Sequence, residues 1–281
     1  MFTADTLANR HILITGGGSG LGYAMAECFL KLGAQISICG RDAAKLEAAA
    51  AKLRQIANRV NFAQCDVREH AQVEAMFGAI ESSGGPVTDL INNAAGNFLC
   101  PSEDLTPNGF KSVVDIVLHG TFNCTHCFGK RAIAAGRKGS VLSIVTTYTE
   151  TGSAFVLPSA CAKAGVYALT TSLAYEWATY GIRVNAIAPG PFPTEGAWSR
   201  LVPDKKFEET FKGRVPMGRF GTPAELANVA AFLLSDLAAY ITGECTVIDG
   251  GERLNAGQFN FVTQLAPRAE LKMMMKQMRN G

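Results

Sequence analysis

The stretch TGGGSGLG, residues 15–22, lies between an apolar run, HILIT (11–15), and a helical pattern, LGYAMAECFLKLG (21–33). A glycine turn that closes a strand and opens a helix brings free backbone N–H groups and the positive end of a helix dipole to one point. Such a point binds phosphate. Gly16 permits the tight turn, Gly20 lets backbone approach a pyrophosphate, and Gly22 lets helix and strand pack closely. Thr15, Gly18, Ser19 and Leu21 complete a loop suited to a dinucleotide.

The pattern outward from that turn repeats it. QISIC (35–39) reads as a strand and DAAKLEAAAAKLRQIA (42–57) as a helix with Asp42 at its cap. NFAQC (61–65), DLINNA (89–94), KGSVLSIVT (138–146), RVNAIAP (183–189) and ECTVIDGG (244–251) read as further strands, with helical segments between them. Short apolar runs separated by helices imply a parallel sheet covered on both faces. The expected fold is α/β: a single-domain, Rossmann-like, doubly wound parallel sheet of about seven strands, spanning residues 1–281.

Composition narrows the function. The chain is 48% hydrophobic and 18% charged, with a formal net charge of +2, which argues against nucleic acid or an anionic membrane as a partner. No apolar run is long enough to span a bilayer. The eight cysteines are scattered through strands and helices and read as reduced core thiols, Cys161 as packing beside the site. Cys124 and Cys127 have CxxC spacing but no second pair, so no metal is expected. The chain ends in RNG rather than SKL and opens without a transit-like leader, which makes a cytoplasmic setting the expectation.

The end of the second strand decides between the two nicotinamide dinucleotides. A carboxylate there would bind a ribose 2′-hydroxyl, but this chain has Cys39, Gly40 and Arg41. Arg41 can pair with a 2′-phosphate, so NADP(H) is expected. Asp66, followed by Val67 in CDVR, is placed either to accept from the adenine amino group or to cap the next helix. Asn93 and Ala94, in NNAAG (92–96), let the chain pass close to the nucleotide.

TGGGSGLG, CDV, NNAAG, the helix carrying Lys163 and NAIAPGPFPTEG together resemble the short-chain dehydrogenase/reductase family over residues 8–251. The resemblance implies that Pro189, Gly190, Pro191, Phe192 and Thr194 hold the nicotinamide and its carboxamide, and that the protein is a homotetramer. Two positions depart from the usual family pattern. The segment matching YxxxK reads SACAK, so Ser159 stands where a tyrosine is usual, and Val117 in DIVLHG replaces an asparagine. A serine hydroxyl is far less acidic than a phenol and is a poor proton donor to a ketone.

NNAAGNF, the TTY–TETGS segment, PSACAKAGV, GAWSRL and DGGE resemble a branch of the family that reduces 2,4-dienoyl-CoA thioesters. In that branch the catalytic tyrosine is moved upstream, matching Tyr148, and works with an asparagine matching Asn97. The resemblance implies that Tyr148 and Asn97 are hydrogen-bond donors to the thioester oxygen and that Lys163 holds the nicotinamide ribose; Ser159, four residues before it on the same helical face, is placed to bond the ribose too. The resemblance further implies an acyl-CoA substrate, with Phe98 and Thr106 lining its pocket and Arg68 and Arg200 meeting coenzyme A phosphates. Reduction of another activated double bond, such as a 2-enoyl thioester, and a nucleotide-binding module without turnover are the competing readings.

Two segments interrupt the regular alternation. Residues 191–222 are polar and rich in Gly and Pro, a lid over the ligand or a plain surface excursion. The extension 252–281 places Leu271, Met274, Met275 and Met278 on one helical face, expected to pack against the body or a neighbouring subunit, or to flap over an acyl chain.

Overall fold

A computed structural model describes residues 2–194, 198, 202 and 204–280. Seven strands form one parallel sheet: β1 (His11–Thr15), β2 (Gln35–Gly40), β3 (Val60–Gln64), β4 (Asp89–Asn92), β5 (Gly139–Ile144), β6 (Ile182–Pro189) and β7 (Cys245–Ile248). Their order is β3-β2-β1-β4-β5-β6-β7. β1 lies in register with β2, Ile12 opposite Ile36 and Ile14 opposite Ile38, and on its other side with β4. The order reverses between β1 and β4, so the loops leaving those two strands diverge and open the crevice in which such sheets bind ligands.

Alternation along β1 divides its side chains between the two faces. Ile12 and Ile14 join one core with α1 (Gly20–Lys31), α2 (Ala43–Arg54) and α8 (Pro223–Leu234); Leu13 joins the other, with α3 (His70–Gly84), α5 (Gly120–Ala134) and Trp177 of α6 (Leu157–Trp177). A third cluster packs α4 (Pro107–Val114) on α6 through Val113, Val117, Ala162 and Val166. Asp42 caps α2 as expected, its carboxylate accepting from the Lys45 amide at 3.0 Å. Between α4 and α5, Asp115–His119 form a widened turn, and Val117 within it is buried.

The cysteines correct the expectation in part. All eight are free thiols, and Cys39, Cys65, Cys124 and Cys127 are buried, but Cys161 is exposed rather than packed. Among the described residues, no helix is long and apolar enough to cross a membrane, and no group of three or more His, Cys, Asp or Glu side chains is placed to hold a metal.

The 191–222 segment contains α7 (Lys205–Gly213), whose first turn is capped by Asp204 accepting from Phe207 N–H at 2.8 Å. Trp198 stacks on Phe211 of α7 with ring centroids 6.0 Å apart and meets Phe220 edge-on at 4.8 Å, giving the segment a small aromatic core. In the C-terminal helix, α9 (Arg268–Asn280), Leu271 is buried, whereas Met274, Met275 and Met278 are exposed. Packing against the body of the same chain therefore holds for Leu271 and not for the three methionines. A helical periodicity marks a face, but the surface available to cover it is set by the rest of the chain.

Candidate active site

The glycine turn after β1 has the geometry a phosphate cradle needs. Gly16 and Gly20 take φ of +66° and +56°, in the left-handed region that disfavours side chains. A Cβ at Gly22 would stand 2.5 Å from the Gly16 carbonyl oxygen and 2.7 Å from Asn93 Nδ2, so helix and turn meet only because residue 22 lacks one. Ser19 stands at the cap position before α1, and among the described residues no side chain caps that helix. Its first amides are left to an external anion.

Asn93 is committed to shaping this turn. Its amide donates to the carbonyls of Thr15 at 3.0 Å and Gly16 at 3.3 Å, while Thr15 Oγ1 accepts from the Asn93 and Ala94 amides at 3.0 and 2.9 Å. The ends of β1 and β4 are thereby locked together. Gly18 and Leu21 complete the turn; Leu21 packs its side chain against the core beneath. Thr194 closes over the top, its Cβ 3.4 Å from where a Cβ on Gly20 would be. Gly190, after Pro189 at the end of β6, donates its amide to Ile248 at 2.9 Å. Pro191 accepts the Gly221 amide at 3.1 Å, and the ring of Phe192 fills the space beside Gly221.

Arg41 is exposed at the end of β2, its guanidinium uncommitted among the described contacts. Asp66 neither begins α3, which starts after Glu69, nor stands free. Its carboxylate is gripped by Arg68, at 2.9 Å from Nε and 2.5 Å from Nη2, and these bonds hold it below the usual carboxylate range. The capping alternative for Asp66 is thus excluded, and Arg68 is in an ion pair. Val67 is buried against Gly120 of α5, and its carbonyl accepts from Asn123 at 2.9 Å.

At the ends of β4 and β5, Tyr148 and Ser159 meet with 3.1 Å between their hydroxyl oxygens, and Asn97 Nδ2 lies 3.5 Å from the tyrosine oxygen. Three residues far apart in the sequence thus form one row. The Asn97 carbonyl accepts the Phe98 amide at 2.9 Å, which fixes the side-chain amide with its nitrogen towards Tyr148. If Ser159 and Asn97 both donate to the phenolic oxygen, the phenolic proton and the second Asn97 N–H are left for a further acceptor. Ser159 is buried beside Tyr148, a contact the sequence did not disclose.

Lys163 follows one helical turn after Ser159 on α6, only 8% exposed, and its ammonium donates to the Ile144 carbonyl at the end of β5. Burial pushes its pKa down to about 8. Phe98 packs into the third core cluster, and Thr106 spends its hydroxyl capping α4, accepting the Gly109 amide at 3.0 Å. Thr106 is therefore a helix cap in this structure, while Arg200 lies outside the described residues.

Known proteins resemble this chain over most of its length. A family model described as enoyl-(acyl carrier protein) reductase matches residues 16–252. The chain is 43% identical over 254 residues to a Bacillus subtilis protein named probable 2,4-dienoyl-CoA reductase [(2E)-enoyl-CoA-producing], covering 90% of this chain and 100% of that one. It is 41% identical over 251 residues to a Caenorhabditis elegans protein named probable 2,4-dienoyl-CoA reductase 3 [(3E)-enoyl-CoA-producing], covering 88% and 81%. A crystal structure of a short chain dehydrogenase from Bacillus anthracis superposes with a TM-score of 0.81 at 45% identity, over 88% of this chain and 98% of that one. With a parallel sheet reversing at a glycine turn, a retained lysine on α6 and these relatives, the chain belongs to the short-chain dehydrogenase/reductase family of nicotinamide-dependent oxidoreductases.

Proposed function

We propose that this oxidoreductase is an NADPH-dependent 2,4-dienoyl-CoA reductase whose product is a 3-enoyl-CoA. The observation that carries the reading is the row Asn97–Tyr148–Ser159, with contacts of 3.5 and 3.1 Å, in a protein whose usual tyrosine position holds Ser159. When bound, a nicotinamide cofactor would supply the hydride. The uncapped first turn of α1 and the Gly16–Gly22 cradle fit its pyrophosphate, and the exposed Arg41 fits a 2′-phosphate.

In a conjugated dienoyl thioester, hydride adds at the far end of the diene and the electron pair moves through the conjugated carbons onto the thioester oxygen. That oxygen lies several bonds from the reacting carbon, so its donors must be displaced along the acyl chain. Tyr148 O–H and the free Asn97 N–H are such donors, each worth roughly 3–4 kcal/mol in comparable oxyanion sites. Ser159 orients Tyr148. Lys163, charged below pH of about 8, binds the ribose hydroxyls and favours the developing negative charge.

A proton taken from water then reaches the α-carbon, which leaves the remaining double bond between carbons three and four. Protonation at the γ-carbon would leave a 2-enoyl thioester instead, and the two relatives' names divide along this line. The test is NADPH oxidation with a 2,4-dienoyl-CoA, a 2-enoyl-CoA and a 3-ketoacyl-CoA of equal length, with the product resolved by chromatography. Preference for the diene and a 3-enoyl product support the reading; preference for the ketone refutes it.

A further inference from the structure

Phe155 is a bulky residue in a conformation that favours glycine. Its φ is +65°, and of the described non-glycine residues only Asn9 shares a positive value. Asparagine tolerates that region because its short polar side chain bonds locally; phenylalanine has no such compensation. The ring is 56% exposed and belongs to none of the three core clusters. Neither the backbone nor the core of this protein gives a reason for an aromatic side chain at residue 155, where glycine would be free of strain. Strain of this kind clusters at active sites and ligand clamps.

Its location says which ligand. Phe155 lies on the connection between Tyr148 and Ser159, and its carbonyl accepts the Cys100 amide at 2.9 Å. Cys100 is three residues beyond Asn97, so Phe155 stands where the Tyr148 connection crosses the Asn97 loop. On either side are two more exposed apolar side chains, Leu99 at 44% and Leu157 at 40%, while Val156 between Phe155 and Leu157 is buried. Three exposed apolar side chains thus lie on the connections that carry Asn97 and Tyr148 and at the start of α6, which carries Ser159.

We infer that Phe155, flanked by Leu99 and Leu157, packs against the acyl chain of the substrate and sets the preference for chain length. The inference rests on the proposed thioester reading. A chain whose thioester oxygen is held by Tyr148 and Asn97 has a tail that leaves the row, and these three side chains are the large exposed apolar ones on the connections that carry it. Apolar burial adds up methylene by methylene, so the contribution of the ring grows with the length of the tail.

The experiment compares wild type, Phe155→Gly and Phe155→Leu on hexadienoyl-CoA and decadienoyl-CoA. Phe155→Gly keeps the backbone conformation and the bond to Cys100 while deleting the ring. Its KM for the decadienoyl substrate should rise about tenfold and for the hexadienoyl substrate about twofold, with kcat changed much less than KM. Its melting temperature should hold or rise, because the strain is relieved. Phe155→Leu, still apolar, should recover most of the long-chain KM. Equal KM changes at both lengths, no change at either, or a lowered melting temperature with loss of kcat would overturn the inference. So would a change in sedimenting mass, which would assign the ring to a contact between copies of the chain. If wild type reduces neither substrate, the dienoyl reading fails by itself. The inference is then decided by calorimetry with decanoyl-CoA and free CoA: it stands if Phe155→Gly weakens only the former, and falls if both or neither change.

Discussion

Removing Tyr148 and Ser159 singly and together asks whether the serine acts through the tyrosine. Tyr148→Phe deletes one donor to the developing oxyanion and leaves the ring in place. Comparable sites lose a hundredfold or somewhat more in turnover, about 2.7 kcal/mol or above. Ser159→Ala removes the 3.1 Å partner of the phenolic oxygen and leaves only Asn97, at the long distance of 3.5 Å. One neutral hydrogen bond is worth about 1 kcal/mol, which predicts a fivefold or so loss of kcat. In the double variant the hydroxyl that Ser159 orients is already gone, so the loss should stay near a hundredfold, with a coupling energy of about 1 kcal/mol. The assay is kcat for a dienoyl-CoA at saturating NADPH, with NADPH affinity measured separately and expected to be nearly intact in Tyr148→Phe. A multiplicative loss, roughly five-hundredfold, would show Ser159 acting independently, for example on the ribose. Near-normal turnover in Tyr148→Phe would remove the tyrosine from the mechanism.

Three other outcomes are expected. Arg41→Ala should weaken NADPH binding tenfold or more, by about 1.5–3 kcal/mol for a charge-assisted contact, with NADH affinity nearly unchanged in titrations; equal losses would undo the choice of cofactor. Lys163 is a base whose pKa burial lowers to about 8, so it is charged below that pH and neutral above it. The kcat/KM for NADPH should therefore fall as pH rises through about 8, and Lys163→Arg should move the decline to higher pH. Gly22→Ala would drive a Cβ to 2.5 Å from the Gly16 carbonyl oxygen. Calorimetry should show a loss of about 1–3 kcal/mol in stability, with cofactor affinity reduced as the turn shifts.

The parts of this protein legible in the sequence are those in which one local pattern has one physical meaning. Buried parallel strands are short apolar runs, and the glycines at 16, 20 and 22 are explained by a turn that tolerates little else. Asp42 could be read as a cap because capping needs only an oxygen three residues before an amide. Asp66 could not be resolved, because the same carboxylate can cap, bind a base or be taken by Arg68 two residues on, and only the path of the turn decides. The active-site row was legible only through resemblance: Asn97, Tyr148 and Ser159 lie on different connections, and no local pattern reports a contact across strand ends. Phe155 gave no signal, since phenylalanine does not announce a left-handed backbone. The exposure of Met274, Met275 and Met278 was hidden for a different reason: periodicity identifies a stripe but not its cover.

The neck of the 191–222 segment has a consequence for how such a protein can diverge. Its two ends are fastened to each other: the Gly221 amide bonds the Pro191 carbonyl at 3.1 Å, and the Phe192 ring sits against Gly221. The aromatic packing of Trp198, Phe211 and Phe220 is likewise internal to the segment. The segment is also anchored to the body, by Thr194 over the glycine turn and by the Met217 amide on the Gly250 carbonyl at 3.2 Å, so that change confined between those anchors leaves β6 in place. Such variation would alter the surface beside the neck while the turn after β1, and the phosphate cradle it forms, stay as they are.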